Sequence, residues 1–183
     1  VIKANTTTTI VSDTPDPSVV GQNYTVTVAV APVAPGAGTP AGNVTVSDGT
    51  NTCVAILPAT SCVLSSATAG AKTLMATYSG DGNFNGSVSA TVPHTVNKAD
   101  TTTIVQTAQN APTYGQSTTI TASLVSNAPG SGTPQGNVNF LDGASPIAAC
   151  QNVALNALGA ASCSLNTLGA GTHTINRSEE RRV

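Results

Sequence analysis

The run Thr39-Pro40-Ala41-Gly42-Asn43-Val44-Thr45-Val46-Ser47-Asp48-Gly49 recurs 94 positions later as Thr133-Pro134-Gln135-Gly136-Asn137-Val138-Asn139-Phe140-Leu141-Asp142-Gly143. Gly21-Gln22 recurs as Gly115-Gln116 at the same offset. Gly70-Ala71-Lys72-Thr73-Leu74 recurs as Gly171-Thr172-His173-Thr174-Ile175, after a longer middle loop has raised the offset to 101. A period of about 100 residues exceeds the ~20–50 residues of a solenoid unit and matches one small domain. Duplicated domains serve as modules, which points to reach or display rather than to a single active site.

Within each copy the signals are those of strands. Tyr24-Thr25-Val26-Thr27-Val28-Ala29-Val30 alternates, with Tyr24, Val26, Val28 and Val30 on one face. Period-two alternation describes a strand half buried against a core. The second copy answers with Ile120, Ala122 and Leu124 inward in 118–125, and residues 43–47 and 137–140 repeat the pattern. Further strands are expected at 6–12, 52–57, 62–66, 72–78 and 87–96. Turn chemistry separates them, as in Asp13-Thr14-Pro15-Asp16-Pro17, Asp48-Gly49 and Gly80-Asp81-Gly82-Asn83. The Thr and Val load disfavours helices. Val153 to Leu158 reads as loop or strand. The expected class is all-β: tandem sandwiches of about seven antiparallel strands each, the second truncated near Ile175. Tyr24, Tyr78, Phe84, Tyr114 and Phe140 are expected in the cores.

Composition removes several functions. Charged residues are 8% of the chain against ~25% in an average globular protein. The 39% apolar fraction is patterned, which favours folding over disorder. Lys3, Lys72 and Lys98 are scattered, so before the last few residues there is no basic patch to displace counterions from nucleic acid. No apolar run approaches the ~20 residues of a membrane span, so no membrane insertion is expected in this segment. Five aromatics and no Trp make a poor stacking platform for sugars.

Cysteines come as one pair per module, Cys53 with Cys62 and Cys150 with Cys163. Each pair flanks a short turn region. Adjacent antiparallel strands would bring such residues within bonding range, so each pair reads as a hairpin disulfide formed in an oxidising compartment. The alternatives are free thiols or a metal site. Two thiols without a local His or a second Cys pair do not complete a tetrahedral set.

In order along the chain stand Thr6-Thr7-Thr8-Thr9-Ile10, Gly21-Gln22, Thr39-Pro40-Ala41-Gly42-Asn43-Val44, Ser47-Asp48-Gly49 and Ala76-Thr77-Tyr78-Ser79-Gly80-Asp81-Gly82-Asn83-Phe84. With these motifs in this order, and repeated, the chain resembles a bacterial immunoglobulin-like repeat of the kind strung in tandem on surface and secreted proteins. The resemblance covers residues 5–176. It implies a sandwich fold, an extracellular or cell-surface setting, and a spacer or adhesive role without catalytic residues. Domains are expected at 1–97 and 98–176. The heptad 177–183 resembles a translated sequencing adapter and is left outside the fold as a non-native tail. The opening resembles the junction at Val96-Asn97-Lys98-Ala99, so Val1 is read as lying just after another module.

Other chemistry reads as structural. Asp81 with Asn83 is a turn bonding its own backbone, not a calcium loop. Asp100 is a weak candidate for a linker calcium site. His94 and His173 fall in expected strands and read as surface or rim histidines. No Gly-x-Ser-x-Gly elbow is present. The expected function is a non-catalytic spacer or stalk module, without cofactor or metal, whose partners are neighbouring repeats. The junction lacks Pro and Gly, which favours a semi-rigid joint. The alternative is an adhesive module contacting a receptor or glycan through loops such as 32–39 or 143–156.

Overall fold

The computed structural model describes residues 1–166 and 168–182. The chain divides between Lys98 and Ala99 into two compact units. The first holds β1 (Thr6–Thr14), β2 (Ser18–Val19), β3 (Asn23–Pro32), β4 (Gly42–Ser47) and β5 (Thr52–Leu57). It continues with β6 (Ser61–Ser65), β7 (Gly70–Tyr78), β8 (Ser87–Val88) and β9 (Val92–Asn97).

One layer of this unit is ordered β1-β3-β6, and the other β2-β9-β7-β4-β5 with β8 on β7. The first strand is therefore divided between layers. β1 pairs antiparallel with β3, shifts register between Ile10 and Ser12, and gives way to β2, which pairs parallel with β9. Alternation does what the sequence pattern requires. Tyr24, Val26 and Val28 face inward from β3 against Val44, Val46, Leu74, Ala76 and Tyr78 of the opposite layer. Thr25, Thr45 and Thr77 occupy exposed positions between them. The turn after β7 needs glycine at Gly80. Its φ is +82°, and a Cβ there would sit 2.8 Å from the Phe84 carbonyl oxygen.

The second unit holds β10 (Thr101–Thr107), β11 (Thr118–Ser126), β12 (Gln135–Asp142) and β13 (Ser145–Pro146). A single 3-10 turn, Ala148–Cys150, leads to β14 (Val153–Ala154), β15 (Ala160–Leu165) and β16 (Ile175–Arg182). One layer is β10-β11-β15; in the other, β12 pairs with β13, β14 and β16. Ile120, Ala122, Leu124, Val138, Phe140 and Leu165 form its core.

Two expectations are corrected here. Residues 177–182 do not lie outside the fold, because their backbone makes up most of β16. Its register on β12 repeats that of β7 on β4: Val138 opposes Glu179 as Val44 opposes Tyr78, and Phe140 opposes Arg177 as Val46 opposes Ala76. Ile175 enters where Leu74 does in the first unit, and a ladder built from backbone groups continues whatever side chains follow. Tyr114 is not core; it is 76% exposed, whereas Tyr24, Tyr78, Phe84 and Phe140 are buried.

Candidate functional site

The reactive side chains of the first unit converge where β1 leaves one layer and β2 joins the other. β9 alternates so that Val92, His94 and Val96 point inward while Pro93, Thr95 and Asn97 point out. His94 is therefore buried, 1% exposed, and not a surface or rim histidine. Its ring stacks on Tyr24 with centroids 4.0 Å apart and planes 20° from parallel. Nδ1 lies 2.7 Å from Asp13 Oδ2 and 3.4 Å from Asp16 Oδ1. Nε2 lies 2.8 Å from Ser18 Oγ. An ionised carboxylate only accepts, so Nδ1–H donates to Asp13, and on the neutral ring Nε2 accepts from the Ser18 hydroxyl. Asp16 is oriented in turn by the Thr95 amide, which donates to Oδ1 at 2.9 Å.

A serine, a histidine and an aspartate in a row have the order of a nucleophile, a base and its orienting acid. Ser18 is 0% exposed, however, and its Oγ has no path to a substrate. The row instead fastens the crossing strand to β9.

Next to it, Asp48 is 3% exposed at the β4–β5 turn. Its Oδ2 accepts from Ser66 Oγ at 2.7 Å and from the Tyr24 hydroxyl at 3.3 Å. Its Oδ1 accepts from the amides of Thr50 and Asn51 at 2.8 and 2.6 Å. Burial by itself would raise this carboxyl, but the Asn51 amide, Ser66 hydroxyl and Thr50 amide outweigh it and lower it from 3.8 to about 2. Because the folded value lies below the unfolded one, the carboxylate stabilises the fold above about pH 4, and that contribution is lost as pH falls toward 2. At 1.36 kcal/mol per unit it amounts to about 2 kcal/mol. Denaturant titrations at pH 5 and pH 2 are expected to show the native chain losing about 2 kcal/mol more than Asp48→Asn. Equal losses would mean that the network does not form.

Asp81 closes its own turn. Oδ1 accepts from the amides of Asn83 and Phe84 at 2.7 and 2.8 Å, and Oδ2 from that of Ala41 at 2.8 Å. His173 lies just before β16 rather than in it. The Gly169 carbonyl at 3.0 Å from Nε2 and Asp142 Oδ2 at 2.6 Å from Nδ1 raise its pKa above the usual histidine value.

Both cysteine pairs are bonded, but not as hairpin bridges. Cys53 sits on β5, which pairs with β4, and Cys62 on β6, which pairs with β3. Each strand spends its hydrogen bonds inside its own layer, so the bridge, with Cα atoms 5.8 Å apart, joins the two layers. In the second unit Cys150 projects from the 3-10 turn to Cys163 on β15, with Cα atoms 5.7 Å apart.

The family model described as "Bacterial Ig-like domain (group 3)" matches residues 11–97 and again residues 105–177. The chain belongs to this family. Its two Ig-like segments coincide with the duplication, and such families are typically non-catalytic structural or surface modules. Family membership and the disulfides point to an extracellular setting. No helix among the described residues is long and apolar enough to cross a membrane. No curated protein matches the chain. Among solved structures the chain is similar to the fibronectin(III)-like modules of Clostridium thermocellum CbhA, at 17% identity and TM-score 0.38, covering 95% of this chain and 85% of that one. It is also similar to murine CEACAM1b, at 15% identity and TM-score 0.31, covering 96% and 92%.

Sequence reasoning missed the His94 cluster. The signal was the parity of β9, which puts His94 in phase with Val92 and Val96.

Proposed function

We propose that this Ig-like tandem is a non-catalytic spacer in a repetitive bacterial protein that is exported to the cell surface or secreted. Its principal partners are neighbouring Ig-like repeats of the same chain. The observation that carries this reading is the burial of the reactive groups at the centre of the first unit. Ser18 and His94 are buried and bonded to each other, Asp48 is buried and bonded to Ser66 and Tyr24, and threonines cover the outer face.

An adhesive role through the loops is the second reading, and one feature favours it. Tyr114 stands exposed beside a cavity of about 650 Å³ in the second unit, whose wall includes Gln109, Thr118, Ile120 and His173. The experiment applies the labelled chain to glycan arrays and to host-cell layers. Binding no greater than that of an unrelated sandwich is the expected result. Saturable binding that disappears in Tyr114→Ala would transfer the assignment to adhesion.

A further inference from the structure

We propose that Asp13, Asp16 and His94 form a binding site for a divalent transition-metal ion, of which Zn²⁺ is the best match. One ligand atom from each residue lies within 4.8 Å of the other two. The three come from separate places: the end of β1, the β1–β2 connection and β9. The donor set is one imidazole nitrogen and two carboxylate oxygens, which suits zinc and its neighbours. A nitrogen donor argues against calcium and magnesium, which take oxygen ligands.

Geometry supports the assignment. Ligands at ~2.0–2.1 Å around a tetrahedral centre stand about 3.3 Å from one another. His94 Nδ1 and Asp16 Oδ1 are already 3.4 Å apart. Asp13 Oδ2, at 2.7 Å from Nδ1, has to withdraw by about 0.6 Å once the ion takes the place of the Nδ1 proton. The neutral ring changes tautomer on binding: Nδ1 gives up its proton and becomes the ligand, Nε2 takes one up and then donates to Ser18 Oγ, and the ring loses no net proton.

The outer shell is built as well. The hydroxyl of Ser18, 0% exposed, is fixed on Nε2 at 2.8 Å, and Tyr24 stacks against the ring, so Nδ1 is aimed at the two carboxylates. The Thr95 amide holds Asp16 Oδ1. The Asp16 side chain is 38% exposed, which gives an ion an entry path and leaves a coordination position for water. Bound there, the ion ties the first strand to the last.

The test uses the full chain, untagged and stripped with chelator, titrated with ZnCl₂ by calorimetry and with CoCl₂ by visible absorption. The expected result is one saturable site per chain, the d–d band of four-coordinate cobalt, and a raised melting temperature. Asp16→Asn is expected to weaken Zn²⁺ at least tenfold with little effect on the melting of the metal-free chain. Ser18→Ala is expected to weaken it about 10–100-fold, as loss of an orienting partner does. His173→Gln is expected to change nothing. Absence of saturation at millimolar Zn²⁺, unchanged affinity in Asp16→Asn, or loss of the site in His173→Gln would each overturn the proposal.

Discussion

His94→Ala is expected to lower the stability of the first unit by about 3–5 kcal/mol, measured by urea denaturation in the presence of chelator. Three effects add in the same direction. Deleting a fully buried ring leaves a cavity, which in large-to-alanine changes costs about 2–5 kcal/mol. The stack on Tyr24 goes with it, at about 0.5–1.5 kcal/mol. The Ser18 hydroxyl, 0% exposed, then has no imidazole to meet, and an orphaned buried polar group costs about 1–3 kcal/mol. These terms share one cavity and are not strictly additive, so the total falls near the upper part of the first range. The outward neighbour Thr95→Ala serves as the control and is expected to stay within about 0.5 kcal/mol. A loss below about 1 kcal/mol in His94→Ala would show that the ring is solvated and that the parity of β9 is not as described.

Replacing Cys53 and Cys62 together by alanine is expected to cost about 3 kcal/mol and to lower the melting temperature of the first unit by roughly 10–20 °C. The magnitude follows from loop closure. A bridge across a sequence separation of 9 removes conformations from the unfolded chain worth about 2.7 kcal/mol at 25 °C. The bridge joins two layers at their outer strands, β5 and β6, so its loss also frees the layer edges to separate. The same shift is expected when the native chain is melted with reductant. An unchanged melting temperature under reductant would remove the staple from the account of stability.

Most of the fold was legible because its strands bury one face only. Where alternation was strict, as from Tyr24 to Val28 or at Val44 and Val46, strand and inward face followed directly. What stayed illegible was non-local. Cys53 and Cys62 are close in sequence, which suggested a hairpin; which layer each strand joins is decided by β3 and β4, not by the residues between the cysteines. Asp13 and Asp16 sit among prolines and looked like turn residues alone. Their meeting with His94 depends on β1 crossing between layers some eighty residues earlier in the chain. Tyr114, expected in the core with the other four aromatics, is exposed instead. Thr118 stands at the offset of Tyr24, so the second unit has no tyrosine there to make the corresponding stack.

The parallel pairing of β2 with β9 has a mechanical consequence. Ser18 lies opposite Val96 and Val19 opposite Asn97, one strand near the entry of the unit and the other at its exit. Tension applied to the two ends drags these strands past each other, so their bonds are sheared together instead of opening singly. Ser18, fixed to the His94 ring, rivets the same pair through a side chain. Under traction the first unit should yield late and abruptly.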